Sequence, residues 1–101
     1  MPYEHLIRQG RIKPYIARPR EIYQLLQVAE RDINAAIRNL DESPDWAYSM
    51  AYNAILQASR ALMLSDGYRP RGAEQHATVV AYMQERLGES ESNSFRLVGK
   101  I

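Results

Sequence analysis

Alanine recurs at positions 47, 51, 54, 58 and 61, in steps of four, three, four and three. That rhythm marks one face of an α-helix, where residues three and four apart lie above one another. Side chains this small let a second helix approach closely along the seam. On a wheel at about 100° per residue, Tyr48, Tyr52, Ile55 and Leu62 occupy the next flank. Ser49, Asn53, Gln57 and Arg60 fall in a narrow wedge, with Leu56 and Met63 beside it. A helix that is apolar over most of its circumference belongs at the centre of a bundle. Its polar wedge then has three readings: a solvent edge, part of a dimer interface, or a ligand groove. An unpaired charge is costly to bury, so Arg60 must reach water or meet an acidic partner.

Two further helices are predicted around this one. Ile22, Leu25, Leu26, Ala29, Ile33, Ala36, Ile37 and Leu40 form a single apolar stripe, which predicts a helix over Pro19–Leu40 with Pro19 at its first position. The loop DESPD supplies Ser43 as N-cap and Pro44 as first residue of the alanine-rich helix, expected to run from Ser43 to Asp66. Gly67 can take the left-handed conformation that ends it. After the connection YRPRG, a stripe of His76, Val79, Val80, Met83 and Leu87 predicts a helix over Ala73–Leu87, stopped by Gly88. No run alternates as a strand does. The expected class is all-α: an antiparallel bundle of three main helices plus a short or incomplete fourth, without a sheet.

The flanks of this bundle, residues 19–88, differ in kind. Residues 1–18 read as a basic arm: Met1–Arg20 holds Arg8, Arg11, Lys13, Arg18 and Arg20 against Glu4. Such an arm can follow phosphates, but the favoured reading is the plainer one, a solvated terminal segment. Residues 89–101, ESESNSFRLVGKI, read as a tail or the beginning of a fourth helix.

With 101 residues the chain is expected to form one domain around a modest core. A net charge of +1 does not by itself argue for nucleic acid. The absence of cysteine excludes disulfides, thiol nucleophiles and thiolate metal sites. No apolar run is long enough to span a membrane and MPYEHLIRQG is polar from its start, so the expectation is a cytoplasmic protein that engages no membrane. No histidines or carboxylates share a helical face at metal-ligand spacing, and no glycine-rich phosphate loop is present, so neither metal nor cofactor is expected. One spacing has chemical content. Arg71-x4-His76, with Arg69 two residues earlier, pairs a cation able to stabilise a phosphorane-like transition state with a proton shuttle, the minimum for metal-free RNA cleavage. His76 on an apolar stripe also has the plainer reading of a boundary residue.

The stretch DWAYSMAYNAILQASRALMLSDGYRPRGAEQHATVVAYMQERLG resembles the HEPN superfamily of small helical domains, through its AYNA…RALM helix, its GYRPRG turn and a helix opening near a histidine. The lead LIRQGRIKPYIARPREIYQLLQVAERDI is similar to that of a bacterial and archaeal subgroup, and the resemblance covers Leu6 to Gly88. It implies a bundle of four or five helices that commonly dimerises. It implies a binding module of a toxin–antitoxin or nucleotidyltransferase-associated system, with an antitoxin or nucleotidyltransferase as partner and RNA or a nucleotide as ligand. In active members an Arg-x4–6-His motif at the dimer cleft cleaves RNA. By spacing that role falls on Arg71 and His76, although Gly72 stands where a polar neighbour is usual. The subgroup also carries a stretch of the type R-x-K-R-N-x-x-x-Y in its last helix. This chain would only begin that helix, at Phe95 and Arg96, so the alternatives are an endoribonuclease and a shortened domain without activity. Asn53, Gln57, Arg60 and Arg69 are the expected binding residues, and a homodimer the expected assembly.

Overall fold

Residues 3–88 are described by the computed structural model. The chain opens with a short helix, α1 (Glu4–Arg8), and a three-residue strand, β1 (Ile12–Pro14). Two long helices follow, α2 (Pro19–Asn39) and α3 (Pro44–Ser65), then a second short strand, β2 (Tyr68–Pro70), and α4 (Gln75–Leu87). The three expected helices are therefore present, with their ends displaced by at most two residues. Pro19 and Pro44 open α2 and α3, where a missing N–H costs nothing. Ser43 occupies the N-cap of α3 without capping it through its side chain. Gly67 follows the C-cap of α3 at φ +95°, a conformation that penalises every residue with a Cβ.

The α2–α3 hairpin packs alanine on alanine. Ala29 and Ala36 of α2, and Ala47, Ala54 and Ala61 of α3, are buried. The seam is narrower than the wheel suggested: Ala51 is half-buried and Ala58 is exposed. The opposite side of α3 carries the main core, where Leu56 and Met63 join Leu6, Ile12, Val79, Tyr82 and Met83. Tyr3 stacks on Tyr82 with ring centroids 4.2 Å apart, and Tyr68 meets Tyr3 edge-on. The Tyr82 hydroxyl donates to Asp66 Oδ2 at 2.5 Å, and Arg86 Nε donates to the same oxygen at 2.7 Å. Burial pushes the Asp66 carboxyl up, but the Arg86 and Tyr82 hydrogen bonds outweigh it and hold the group below its usual range.

Two expectations are corrected here. The basic arm is in part core: Leu6 and Ile12 are almost wholly buried, and His5 Nε2 lies 3.2 Å from Glu85 on α4. Basic residues masked an apolar pair whose spacing matches neither a long helix nor a long strand. A small sheet does form. β1 and β2 pair antiparallel, Ile12 opposite Pro70 and Pro14 opposite Tyr68. Two three-residue strands are too short to alternate visibly, and a two-stranded ribbon has only edges, where proline is tolerated. The short helix α1, at the N-terminal end, was not expected. The partial helix expected over 89–101 lies outside the described residues. No helix among the described residues is long and apolar enough to cross a membrane.

Candidate functional site

The α2–α3 hairpin has two open flanks, and the polar wedge of α3 forms one of them. Asn53, Gln57 and Arg60 are half-buried there and face the edge of α2. Asn53 Nδ2 donates to Asp32 Oδ2 of α2 at 2.5 Å, and Gln57 Nε2 donates to Asn53 Oδ1 at 3.2 Å. This chain crosses the hairpin and satisfies two of the three polar residues that the sequence raises as a question. The bond from Asn53, with help from Arg31, outweighs burial and holds the Asp32 carboxyl below its usual range. Asp32 was missed in the sequence because it sits among the charged residues of α2 with no spacing to mark it.

Arg60 continues the same flank one turn on, where the hairpin meets the ribbon. It lines a cavity of about 230 Å³ together with Tyr15, Glu21, Leu25, Leu64, Arg69, Pro70 and Gln75. Two expected binding residues, Arg60 and Arg69, are thus brought together from α3 and β2, while Asn53 and Gln57 stand beside the cavity on α3. The cavity wall is built by side chains bonded to one another. The Tyr15 hydroxyl donates to Glu21 Oε1 at 2.7 Å, and the Arg18 backbone N–H donates to Glu21 Oε2 at 2.8 Å. Both bonds, led by that from Tyr15, lower the Glu21 carboxyl, which is therefore a fixed negative charge. The Arg69 guanidinium lies 5.2 Å from the centre of the Tyr15 ring, within cation–π reach. Tyr15 and Gln75 escaped the sequence reading, since only the ribbon and the α4 terminus bring them here.

Arg71 and His76 occupy neighbouring ground without sharing a contact. The Arg71 backbone N–H donates to the Arg11 carbonyl at 2.9 Å and extends the ribbon. The His76 ring stacks on Tyr52 of α3 and hydrogen-bonds its hydroxyl through Nε2. Both residues are exposed. Glu74, between them, holds φ +55° at the N-cap of α4.

The second flank of the hairpin is apolar. Leu26, Ile33, Ile37 and Leu40 of α2, with Tyr48 and Ile55 of α3, are between 37% and 66% exposed. Three shallow hollows lie along it, one of them about 340 Å³ between Ile37, Leu40 and Tyr48. Among the described residues no cluster of histidine and carboxylate side chains is arranged to hold a metal ion. In comparisons with known proteins, no family model matches the sequence, and no curated protein or solved structure matches it.

Proposed function

We propose that the chain is a helical interaction module that acts as a homodimer through the apolar flank of its α2–α3 hairpin. The observation that carries this reading is the row Leu26, Ile33, Ile37 and Leu40 left open beside Tyr48 and Ile55. A small domain rarely leaves a continuous apolar strip of this kind in water. Helices of 21 and 22 residues are about 32 Å long. With each helix about 10 Å across, the two together present a face about 20 Å wide, so one flank offers about 600 Å² and two offer about 1,200 Å², the lower bound of a specific interface. The polar wedge of Asn53, Gln57 and Arg60 lies on the other side of α3, so it contributes nothing to this contact. Met63, beside the wedge on the helical wheel, is in the core; Tyr48 anchors the contact, and Tyr52 stands at its edge. From the HEPN resemblance we assign the module to a toxin–antitoxin or nucleotidyltransferase-associated system, with an antitoxin or nucleotidyltransferase as second partner and RNA or a nucleotide as ligand.

Sedimentation at low micromolar concentration tests the dimer. The expected species has twice the 11.6 kDa chain mass, and Ile37→Glu with Tyr48→Glu should return it to the monomer. A monomer from the unaltered chain at tens of micromolar would overturn the proposal.

One observation favours the enzymatic reading as a second possibility. Tyr52, which fixes the His76 imidazole, also lines the apolar flank. A dimer formed there brings two such imidazoles near its seam, where a metal-independent endoribonuclease would need them. RNA incubated with the protein in chelator decides it: cleavage that disappears in His76→Ala and in Arg71→Ala supports catalysis, and no cleavage leaves the binding module.

A further inference from the structure

Among the expected site residues, Arg60 is set apart by where its charge sits: half-buried in the wall of the cavity, with one side-chain nitrogen unpartnered among the described residues. Its Nε is buried without an acceptor, and no carboxylate among the described residues makes an ion pair with it. Among the described residues Glu21 is the only acid lining the same cavity, and its two oxygens are already bonded to Tyr15 and to the Arg18 backbone. The rest of the half-buried guanidinium lines the cavity as a cation that a counter-charge from solution can reach. Arg69, held over the Tyr15 ring, adds a second cation at the same cavity. Leu25, Leu64 and Pro70 supply apolar wall, and Gln75 a neutral hydrogen-bonding group.

We infer that this cavity, at the junction of α2, α3 and β2, is a binding site for a small organic anion: a carboxylate or phosphate-monoester head on Arg60 and Arg69, and a compact apolar body against Leu25 and Leu64. The planar fork of arginine matches two oxygens of either head, which a single ammonium would not. A cavity of about 230 Å³ has room for a ring-sized body. Glu21 faces the ligand as a fixed negative charge. It therefore disfavours anions that carry a second charge away from the head. The site is independent of the apolar flank and does not rest on dimerisation.

The test is titration of the isotope-labelled full chain with benzoate, phenyl phosphate and inorganic phosphate, followed by amide shifts. Saturable shifts at Arg60, Arg69 and Gln75 with benzoate or phenyl phosphate are expected, and the tighter of the two identifies the head. Loss of one charged hydrogen-bonding partner should weaken binding about tenfold or more in Arg60→Gln. Arg69→Gln, on an exposed strand residue, should weaken it less. Arg38→Gln, on the far part of α2, should bind as the unaltered chain does. Arg60→Lys keeps the charge and loses the fork, so it should recover only part of the affinity. If Arg60→Gln does not fold, Arg69→Gln decides. Absence of saturable shifts at millimolar ligand overturns the site, as does unaltered affinity in a folded Arg60→Gln or, failing that, in Arg69→Gln. Inorganic phosphate binding as tightly as phenyl phosphate would overturn the apolar body.

Discussion

The two flanks of the α2–α3 hairpin are built from the same pair of helices and differ in how their side chains are satisfied. On one, Asp32, Asn53 and Gln57 bond to each other across the groove, and Glu21 binds Tyr15 at its end. On the other, Ile33, Ile37, Leu40 and Tyr48 have nothing over them among the described residues. The alanines between them, Ala29, Ala36, Ala47, Ala54 and Ala61, hold the helices close and offer little side-chain area of their own. Polar groups can complete one another within one chain because a hydrogen bond is local and directional. Apolar side chains are completed only by area, which a hairpin of two helices does not possess. The polar flank is therefore suited to a small ligand and the apolar flank to a macromolecular surface.

Neither flank is where most of the chain's own stability lies. The back of α3, against α1, the ribbon and α4, holds the fully buried side chains Leu6, Ile12, Met63, Val79 and Tyr82. Leu6→Ala should therefore have the largest effect, about 2–5 kcal/mol by the general cost of removing a buried leucine. Urea denaturation measures it. A loss well under 1 kcal/mol would mean that α1 is not part of the core and that the hairpin alone sustains the fold.

The alanine spine comes next. Ala54 is buried where α2 and α3 meet, and Ala54→Leu should force them apart at a cost of about 1–3 kcal/mol. Overpacking there also widens both flanks, so dimer strength and anion affinity should fall together. An unchanged denaturation midpoint would show that the helices meet elsewhere. Ala58→Leu is the control. Ala58 is exposed, and the added side chain should leave stability nearly unaltered.

The long helices and their close approach were legible in the sequence because they repeat: seven or eight apolar residues at helical steps leave little choice, and Pro19, Pro44 and Gly67 mark the ends. The ribbon and α1 were not legible. Their elements span three to five residues, too few for a period to show, and the burial of Leu6 and Ile12 depends on Val79 and Tyr82 some seventy residues on. The site divides in the same way. Asn53, Gln57 and Arg60 share a face because they share a helix, so the sequence could group them. Tyr15, Glu21 and Arg69 join Arg60 only through the tertiary fold. The pairing of His76 with Tyr52 follows from where the YRPRG connection delivers α4, which no local pattern encodes.

The smallest expected effect separates the flanks by pH. Asp32 and Glu21 both have carboxyls held below their ordinary range, by Asn53 and Tyr15 respectively. A carboxylate whose folded pKa is depressed contributes stability that is fully present above the unfolded value, about 4, and is lost as pH falls through the folded value. The polar flank should accordingly weaken in acid, from about pH 4 downward, and Asp66 on the back of α3 adds to the same loss. Asp32→Asn removes the charge but can still accept from Asn53, so its cost at neutral pH should be about 1 kcal/mol. That cost should shrink toward zero as the pH is lowered, since the unaltered chain then loses the same charge. Among the described residues no carboxylate lines any of the three hollows of the apolar flank, so carboxylate titration should not change dimer strength between neutrality and about pH 5, above the range in which these groups titrate. Denaturation midpoints and sedimentation measured on one pH series check both halves. A dimer that dissociates within the neutral-to-mildly-acidic range, and still does so in His76→Ala, would place another titrating group in its interface and move the contact off the apolar flank.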